Sequence, residues 1–182
     1  VSNISEKLEG SFRPGHFTGV ATVVAKLLNI TKPHTIHLGS KDAQQNAVLK
    51  RMIADLNFDT KLVVCPTIRE DNGLAMSSRN TYLTPEQKES AASLYIILVE
   101  GVRMITEEKV ADANTVKEKA ATILSELSPE IELQYYAITD NQELEAIDDL
   151  GKFSGEVLIS LAAKCGTTRL IDNIIFEHNT ST

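Results

Sequence analysis

Residues 34–65 read "HTIHLGSKDAQQNAVLKRMIADLNFDTKLVVC", and this stretch decides the fold. A short extended run at about 34–38 is stopped by Gly39, and a continuous apolar run at 61–65 is ended by Pro66. Between them, residues 42–56 carry apolar side chains at helical spacing, which predicts a helix with one buried face. Its inward residues are Val48, Leu49, Met52, Ile53 and Leu56. Strand, helix and strand with short connections predict a βαβ unit with two parallel strands and a right-handed crossover.

A further helix precedes this unit. Residues 17–30 repeat apolar positions at helical spacing, and Pro33 follows. The apolar positions are Val20, Val23, Val24, Leu27 and Leu28. Two parallel strands are too few for such a sheet, because parallel sheets need both faces covered and are seldom so narrow. We therefore expect the other strands to be missing from this chain, which opens at Val1 without an initiator methionine, or to come from another chain.

The second part of the chain follows a different pattern. Thr84-Pro85-Glu86-Gln87 is a capping box with proline at the first helical position, and the helix is predicted to run to about Ile105. Another helix is predicted at about 112–127. Three extended runs follow, with a predicted hairpin at Cys165-Gly166-Thr167. These runs are 131–139, 156–164 and 168–176.

The predicted fold class is therefore α/β. It comprises a partial Rossmann-like parallel βαβ unit, followed by a small α+β domain with a three-stranded antiparallel sheet. The domains are predicted at 1–67 and 68–182. Residues 1–66 carry eight basic and five acidic side chains, whereas residues 67–182 carry ten basic and twenty acidic ones. An anionic ligand is therefore expected on the first domain and at the boundary between the two domains.

The composition narrows the class of protein. At 182 residues and 42% hydrophobic content the chain can bury a core as one domain or two small ones. A net charge of −7 argues against non-specific nucleic-acid binding. The sequence shows no apolar run of eighteen residues and no basic-then-apolar leader, so we expect no membrane span, no secretory signal and a cytoplasmic location. Cys65 and Cys165, far apart in apolar runs, are expected to be free buried thiols.

The first candidate site is Gly39-Ser40-Lys41-Asp42, where a parallel strand ends and a helix begins. Ligands of open α/β sheets bind at the carboxyl ends of strands, and helix N-termini favour anions. Gly39 would let a ligand approach the backbone, Lys41 would supply a charge for a phosphate, and Asp42 would cap the helix or bond a ribose hydroxyl. The alternative is an ordinary turn with an N-cap aspartate. Gln44 or Gln45 would face the same crevice or solvent.

The second candidate site lies in "REDNGLAMSSRNTYLTPEQ", residues 69–87. Gly73 permits a turn, and Ser77, Ser78 and Arg79 offer two hydroxyls and a guanidinium that fit phosphate oxygens. The alternative is a polar linker that leads into the capped helix. Two anion-binding candidates at one seam favour a ligand there, because crevices between domains are common ligand sites.

A third candidate comprises Glu9, Arg13 and His16, just ahead of the first helix. The alternative is a loop with solvated charges in which His16 helps to cap that helix. The other histidines show no ligand spacing and are expected to be structural or exposed. They are His34, His37 and His178.

Four segments together resemble a known family. They are "LEGSFRPGHFTGVATVVAKLLNI" at 8–30, "GSKDAQQ" at 39–45, the stretch at 69–87 quoted above, and "TRLIDN" at 168–173. In this order and spacing they resemble the pantothenate synthetases (pantoate–β-alanine ligases) over essentially the whole chain. Members of that family begin with a half Rossmann domain that carries a His-x-Gly-His signature and the metal ligands. Nothing in this sequence matches that half, in agreement with the expected lack of strands.

The resemblance implies a two-step condensation that uses ATP as co-substrate. Pantoate attacks the α-phosphate to give pantoyl adenylate and pyrophosphate, and β-alanine then displaces AMP to give pantothenate. It also implies Mg²⁺, with ligands outside this chain, a homodimeric parent enzyme, and a second domain that acts as a lid.

The resemblance further implies roles for individual residues. ATP contacts are implied at Gly39, Ser40, Lys41, Asp42, Ile68, Met76, Ser77, Ser78 and Arg79, and pantoate contacts at Gln45, Arg13 and His16, with Glu9 at the rim. Lys41, Ser77, Ser78 and Arg79 are the implied catalytic residues, since they would lie on the phosphates. One departure is Ser40, where the family usually has Glu or Lys.

Two rival functions stay open at this stage. The chain by itself is expected to be nearly inactive, so one alternative is a nucleotide- or partner-binding module without turnover. A relative of the tRNA synthetases would need a basic RNA-binding surface, which the acidic second domain does not provide.

Overall fold

The computed structural model describes residues 2–180, which form two compact units. Unit 1 comprises Val1–Pro66 together with Gln142–Leu144, and unit 2 comprises Thr67–Asn141 and Glu145–Thr182. The short segment 142–144 thus belongs to unit 1, although the chain on both sides of it belongs to unit 2. The predicted roles of the two domains stay predictions.

Unit 1 contains the predicted βαβ unit. Its strands pair in parallel from Thr35↔Lys61 to Gly39↔Cys65, which confirms the pairing predicted from the sequence. The first long helix ends where Lys32 takes a left-handed conformation (φ 44°) just before Pro33. The elements are α1 Ser2–Ser5, α2 Leu8–Phe12, α3 His16–Thr31, β1 Thr35–Gly39, α4 Ala43–Asp55 and β2 Lys61–Cys65.

The core of unit 1 is small. Leu28 of α3 packs with Leu49 and Met52 of α4, and side chains of β1 and β2 are only half-buried around them. Leu56 was predicted to face inward but is exposed, because α4 ends at Asp55 and Leu56 already lies beyond the helix. Two of the apolar positions at helical spacing in α3 are exposed as well. They are Val23 and Leu27.

Unit 2 contains the predicted antiparallel sheet. Its strand order is β3-β4-β5, and Gly166 (φ 59°) lies in the tight turn that joins the last two strands. The fold class is confirmed: a two-stranded parallel sheet and a three-stranded antiparallel sheet in one mixed α/β chain. The elements are α5 Pro85–Ala91, α6 Ser93–Thr106, α7 Ala113–Leu127, β3 Ile131–Asp140, β4 Gly155–Cys165 and β5 Thr168–His178.

The predicted helix from the capping box to Ile105 is interrupted. Thr84 and Gln87 form the reciprocal capping bonds, with the Gln87 amide on Thr84 Oγ1 at 3.2 Å and the Thr84 amide on Gln87 Oε1 at 3.0 Å. The helix breaks at Ala92, where the Ser93 hydroxyl donates to the Ser90 carbonyl at 2.6 Å. That carbonyl also accepts from Ser128, so side-chain hydroxyls compete there with the helical ladder.

The two cysteines are both free. Cys165 is buried, and burial raises the pKa of its thiol, whereas Cys65 is only half-buried, so the expectation of two buried thiols was wrong for Cys65. No helix within residues 2–180 combines the length and the apolar character needed to cross a membrane.

Helix α6 crosses the sheet of unit 2 at a glycine. The buried Tyr136 hydroxyl donates to the Ile97 carbonyl at 3.0 Å, and burial raises the pKa of this phenol. A Cβ added to Gly101 would lie 2.1 Å from that hydroxyl oxygen and 3.3 Å from the Cδ1 atom of Ile159. The absence of a side chain at position 101 therefore lets the helix approach the sheet.

We expect Gly101→Ala to lower the free energy of unfolding of unit 2 by about 1–3 kcal/mol, because a rigid buried ring must move. Urea unfolding followed by tyrosine fluorescence measures this, since all four tyrosines lie in unit 2 and the chain has no tryptophan. In a Tyr136→Phe background, which lacks the clashing oxygen, the same substitution should cost clearly less. Equal costs in both backgrounds would contradict the packing described.

Candidate functional site

The first candidate site is the turn that follows β1 in unit 1. Ser40–Asp42 form one 3-10 turn between the end of β1 and the start of α4 at Ala43. Lys41 and Ser40 are half-buried and Asp42 is exposed. A Cβ added to Gly39 would meet nothing within 4 Å, so the backbone there is open to a close approach. The positive end of the helix dipole of α4 lies at this turn.

A side chain of helix α4 is hydrogen-bonded to the backbone at the start of this turn. The side-chain amide of Asn46, which is 7% exposed, donates to the Gly39 carbonyl at 3.0 Å. The bond joins the first turns of the helix to the end of the strand. It fixes the backbone between them while the side chains of the turn stay outside the core.

Gln44 and Gln45 have different environments. Gln44 is buried, and its amide nitrogen donates to the carbonyls of Ile4 and Lys7 at 2.8 and 2.7 Å. Gln45 is half-buried, so of this pair only Gln45 can offer its side chain to a ligand. The Gln44 bonds also link α4 to the chain segment that leads to Arg13.

Asp42 does not cap the helix. It occupies the N-cap position of α4, but no side-chain cap bond is formed. The alternative of an ordinary turn with an N-cap aspartate is therefore not what the structure contains. The exposed carboxylate is positioned to accept a hydrogen bond from a hydroxyl group, as a ribose would offer.

Arg13 and His16 lie together ahead of α3. Arg13 Nη1 and His16 Nε2 are 3.0 Å apart, and because a guanidinium can only donate, the imidazole accepts and is neutral in this contact. Gly15 occupies the N-cap position of α3, so His16 is not the cap. Glu9, predicted at a rim, is instead buried in α2.

The second candidate site lies in unit 2. Residues 68–76 form a short hairpin in which Met76 donates to the Ile68 carbonyl at 2.9 Å and Glu70 donates to the Leu74 carbonyl at 2.8 Å. Leu74 and Ala75 are buried, whereas Ile68 and Met76 are 71% and 56% exposed. The open end of the hairpin thus presents two neighbouring apolar side chains to solvent.

The turn after the hairpin carries the hydroxyls and the arginine. Ser77 Oγ accepts from the Arg79 amide at 3.2 Å and begins a 3-10 turn over Ser78–Tyr82. Ser78 and Arg79 are exposed and Ser77 is half-buried. The Ser78 side chain and the Arg79 guanidinium are therefore accessible to solvent.

Asn80 holds that turn to the hairpin. It is 4% exposed, and its amide nitrogen donates to Glu70 Oε1 at 2.8 Å and to the Ala75 carbonyl at 3.1 Å. The sequence patterns did not single out Asn80 or Asn46. Both stand within a few residues of a predicted ligand contact, and that proximity was the only available signal.

The described part of the chain offers no cluster of metal ligands. Within residues 2–180, no group of three or more His, Cys, Asp or Glu side chains could hold a metal ion. Mg²⁺ is usually bound by only one or two protein carboxylates together with waters and substrate phosphates.

A parallel strand that ends in an open turn at a helix N-terminus is typical of α/β nucleotide-binding proteins. Comparison with known sequences identifies the family within this class. The sequence profile described as Pantoate-beta-alanine ligase matches residues 1–175. The chain therefore belongs to the pantoate–β-alanine ligase family.

Individual relatives are similar over most of the chain. The pantothenate synthetases of Sulfurihydrogenibium sp. (strain YO3AOP1) and Thermodesulfovibrio yellowstonii are each 47% identical over 97% of this chain. In both cases the match covers 61% of the relative, so the chain spans about three-fifths of the length of these proteins.

Solved structures are similar as well. The pantothenate synthetase of Thermus thermophilus superposes with a TM-score of 0.86 at 37% identity, over 94% of this chain and 60% of that one. The Francisella tularensis ligase, solved as a complex with Beta-gamma ATP and β-alanine, gives a TM-score of 0.66 at 35% identity, over 94% and 55%.

We expect Asn80→Asp to destabilise unit 2 by about 3 kcal/mol, because a buried carboxylate would replace the donor that faces Glu70 and the Ala75 carbonyl. Urea unfolding followed by tyrosine fluorescence measures the change. The matched control is Asn114→Asp, an exposed position near the start of α7, where the same change should shift stability by less than about 0.5 kcal/mol. Equal effects at both positions would show that Asn80 does not hold the loop.

Proposed function

We propose that the protein containing this chain condenses pantoate with β-alanine through a pantoyl-adenylate intermediate. Family membership carries the proposal, together with an open, lysine-bearing turn at a helix N-terminus. The Francisella tularensis relative was solved with an ATP compound and β-alanine, which supports the same two substrates here.

The first step forms a bond between a pantoate carboxylate oxygen and the α-phosphorus of ATP. The bond from that phosphorus to the bridging oxygen breaks, and pyrophosphate leaves. The carboxylate is already ionised at neutral pH, so no general base is needed. The protein instead has to position the reactants and neutralise charge at phosphorus. We assign this task to Lys41 and Arg79, with hydrogen bonds from Ser77 and Ser78.

The second step forms an amide bond. The neutral amine of β-alanine attacks the acyl carbon, the bond from that carbon to the AMP oxygen breaks, and the nitrogen loses a proton to solvent. Water would compete with the amine for the adenylate, and we therefore assign unit 2 the role of a lid that excludes water.

The remaining predicted residues recognise the substrates. We propose that the exposed apolar pair Ile68 and Met76 contacts the nucleoside, and that Gly39, Ser40 and Asp42 contact it through backbone groups and the Asp42 carboxylate. Pantoate would be held by Gln45 and by the Arg13–His16 pair, in which the guanidinium offers charge and the imidazole fixes its orientation.

A binding module without turnover is the rival proposal. The two differ in one assay, which is AMP formation that requires both pantoate and β-alanine. It should be run on this chain alone and on the protein at its full gene-encoded length. Our proposal predicts activity in the full-length protein and almost none in the chain alone, whereas the rival predicts none in either.

We expect Lys41→Ala in the full-length protein to slow pyrophosphate release by about 10²–10³-fold, because a cation is lost where negative charge develops. The fold should be unchanged, since Lys41 lies on a solvent-accessible turn. Lys50→Ala, at an exposed position on α4, is the matched control and should retain full activity. Near-normal pyrophosphate release by Lys41→Ala would refute the assignment of Lys41.

A further inference from the structure

The hairpin at 68–76 is held to the sheet of unit 2 by one arginine. Arg69 Nη1 and Nη2 donate to the two carboxylate oxygens of Asp172 on β5, at 2.6 and 3.0 Å. Nη1 also donates to the Gly73 carbonyl at 3.0 Å, across the hairpin. The guanidinium carbon lies 3.7 Å from the ring centroid of Tyr95 on α6. One side chain thus connects the hairpin to a strand and to a helix.

The guanidinium of Arg69 is engaged by contacts within unit 2. Its side chain is 17% exposed and that of Asp172 is 5% exposed. Two nitrogens of its fork are committed to Asp172, and one face is stacked on Tyr95. Arg79, ten residues further on, is exposed instead. The two arginines of this segment therefore have different tasks, one inside the unit and one toward a ligand.

The outward residues cannot hold their own position. Ser78, Arg79 and Met76 are exposed, so their placement depends on the hairpin behind them. Asn80 joins the turn to the hairpin, and Arg69 joins the hairpin to β5 and α6. The two hydrogen bonds and the ring stacking of the Arg69 guanidinium fix the orientation of the hairpin as well as its distance from the sheet. A lysine ammonium, which is a point charge, would fix only the distance.

We propose that Arg69 and Asp172 are positioning residues, which set the place and orientation of the Ser77–Arg79 turn so that it can act on the phosphates of ATP. The inference rests on the proposed function for its chemistry, but its structural part concerns unit 2 alone. A misplacement of about 1 Å in such a group can lower a rate by about 10²-fold.

The test combines hydrogen exchange of the nucleotide-free protein with steady-state kinetics, both at full gene-encoded length. Arg69→Lys keeps the charge but loses the fork and the stacking, and Asp172→Asn keeps the shape but loses the charge. Tyr95→Leu removes the aromatic ring on which Arg69 stacks. This variant tests the proposal if Arg69→Lys and Asp172→Asn fail to fold. The matched control is Arg103→Lys, since Arg103 pairs with Glu100 and Glu108 elsewhere in unit 2.

The expected result is faster exchange in peptides covering residues 69–82, with exchange in β4 unchanged. The kcat for pyrophosphate release should fall by about 10²-fold per folded molecule. The KM for pantoate should stay the same, and the control should match the wild type in every measurement.

Two results would overturn the proposal. One is wild-type exchange and wild-type kcat in all folded variants of Arg69, Asp172 and Tyr95. The other is faster exchange across the whole sheet with normal activity per folded molecule, which is a stability effect only. If the proposed function is wrong, the wild type itself will release no pyrophosphate. In that case the hydrogen-exchange pattern alone decides whether Arg69 and Asp172 fix the Ser77–Arg79 turn.

Discussion

A loop that binds phosphate must turn its charged and hydroxyl side chains outward, so it cannot be fixed by burying them. Its position must come from interactions behind it. In unit 2 this constraint is met by the buried pair Arg69–Asp172, whose two short hydrogen bonds tie the hairpin to the sheet of the unit. Removing either Arg69 or Asp172 alone would leave an unpaired charge at a buried position. A substitution of one partner is therefore expected to destabilise unit 2. We propose that the exposed Arg79 faces a ligand and that its position depends on Arg69, which faces inward.

Unit 1 meets the same constraint with neutral groups. Asn46 and Gln44 of α4 donate to backbone carbonyls on two sides of the candidate site, one at the end of β1 and the other near the amino terminus. Asn80 does the same in unit 2. Within the described residues the side-chain oxygens of all three amides are buried without a hydrogen-bond partner. Each such buried oxygen lowers the free energy of unfolding.

Local patterns in the sequence predicted the elements well. The capping box at Thr84, the parallel strands and the hairpin at Gly166 all form, because each depends on neighbouring residues or on a period of two or 3.6. The predictions that were wrong concern helix ends and helix breaks, which the apolar periodicity does not encode. Leu56 continues the apolar spacing past the end of its helix, and the break at Ala92 depends on hydroxyls, one of which comes from the distant Ser128. The ligand contacts were predicted from their chemistry and stay predictions, whereas the hydrogen bonds that support them were missed because those bonds depend on how the folded backbone turns and follow no sequence period.

We propose that in the full-length protein the turn bearing Lys41 and the turn bearing Arg79 act on the phosphates of one nucleotide. A crystal structure of the full-length protein with a non-hydrolysable ATP analogue tests this most directly. The account predicts Lys41 Nζ and the Arg79 guanidinium each at about 3 Å from phosphate oxygens of the same molecule. A nucleotide that contacts neither residue, or only one of them, would contradict it.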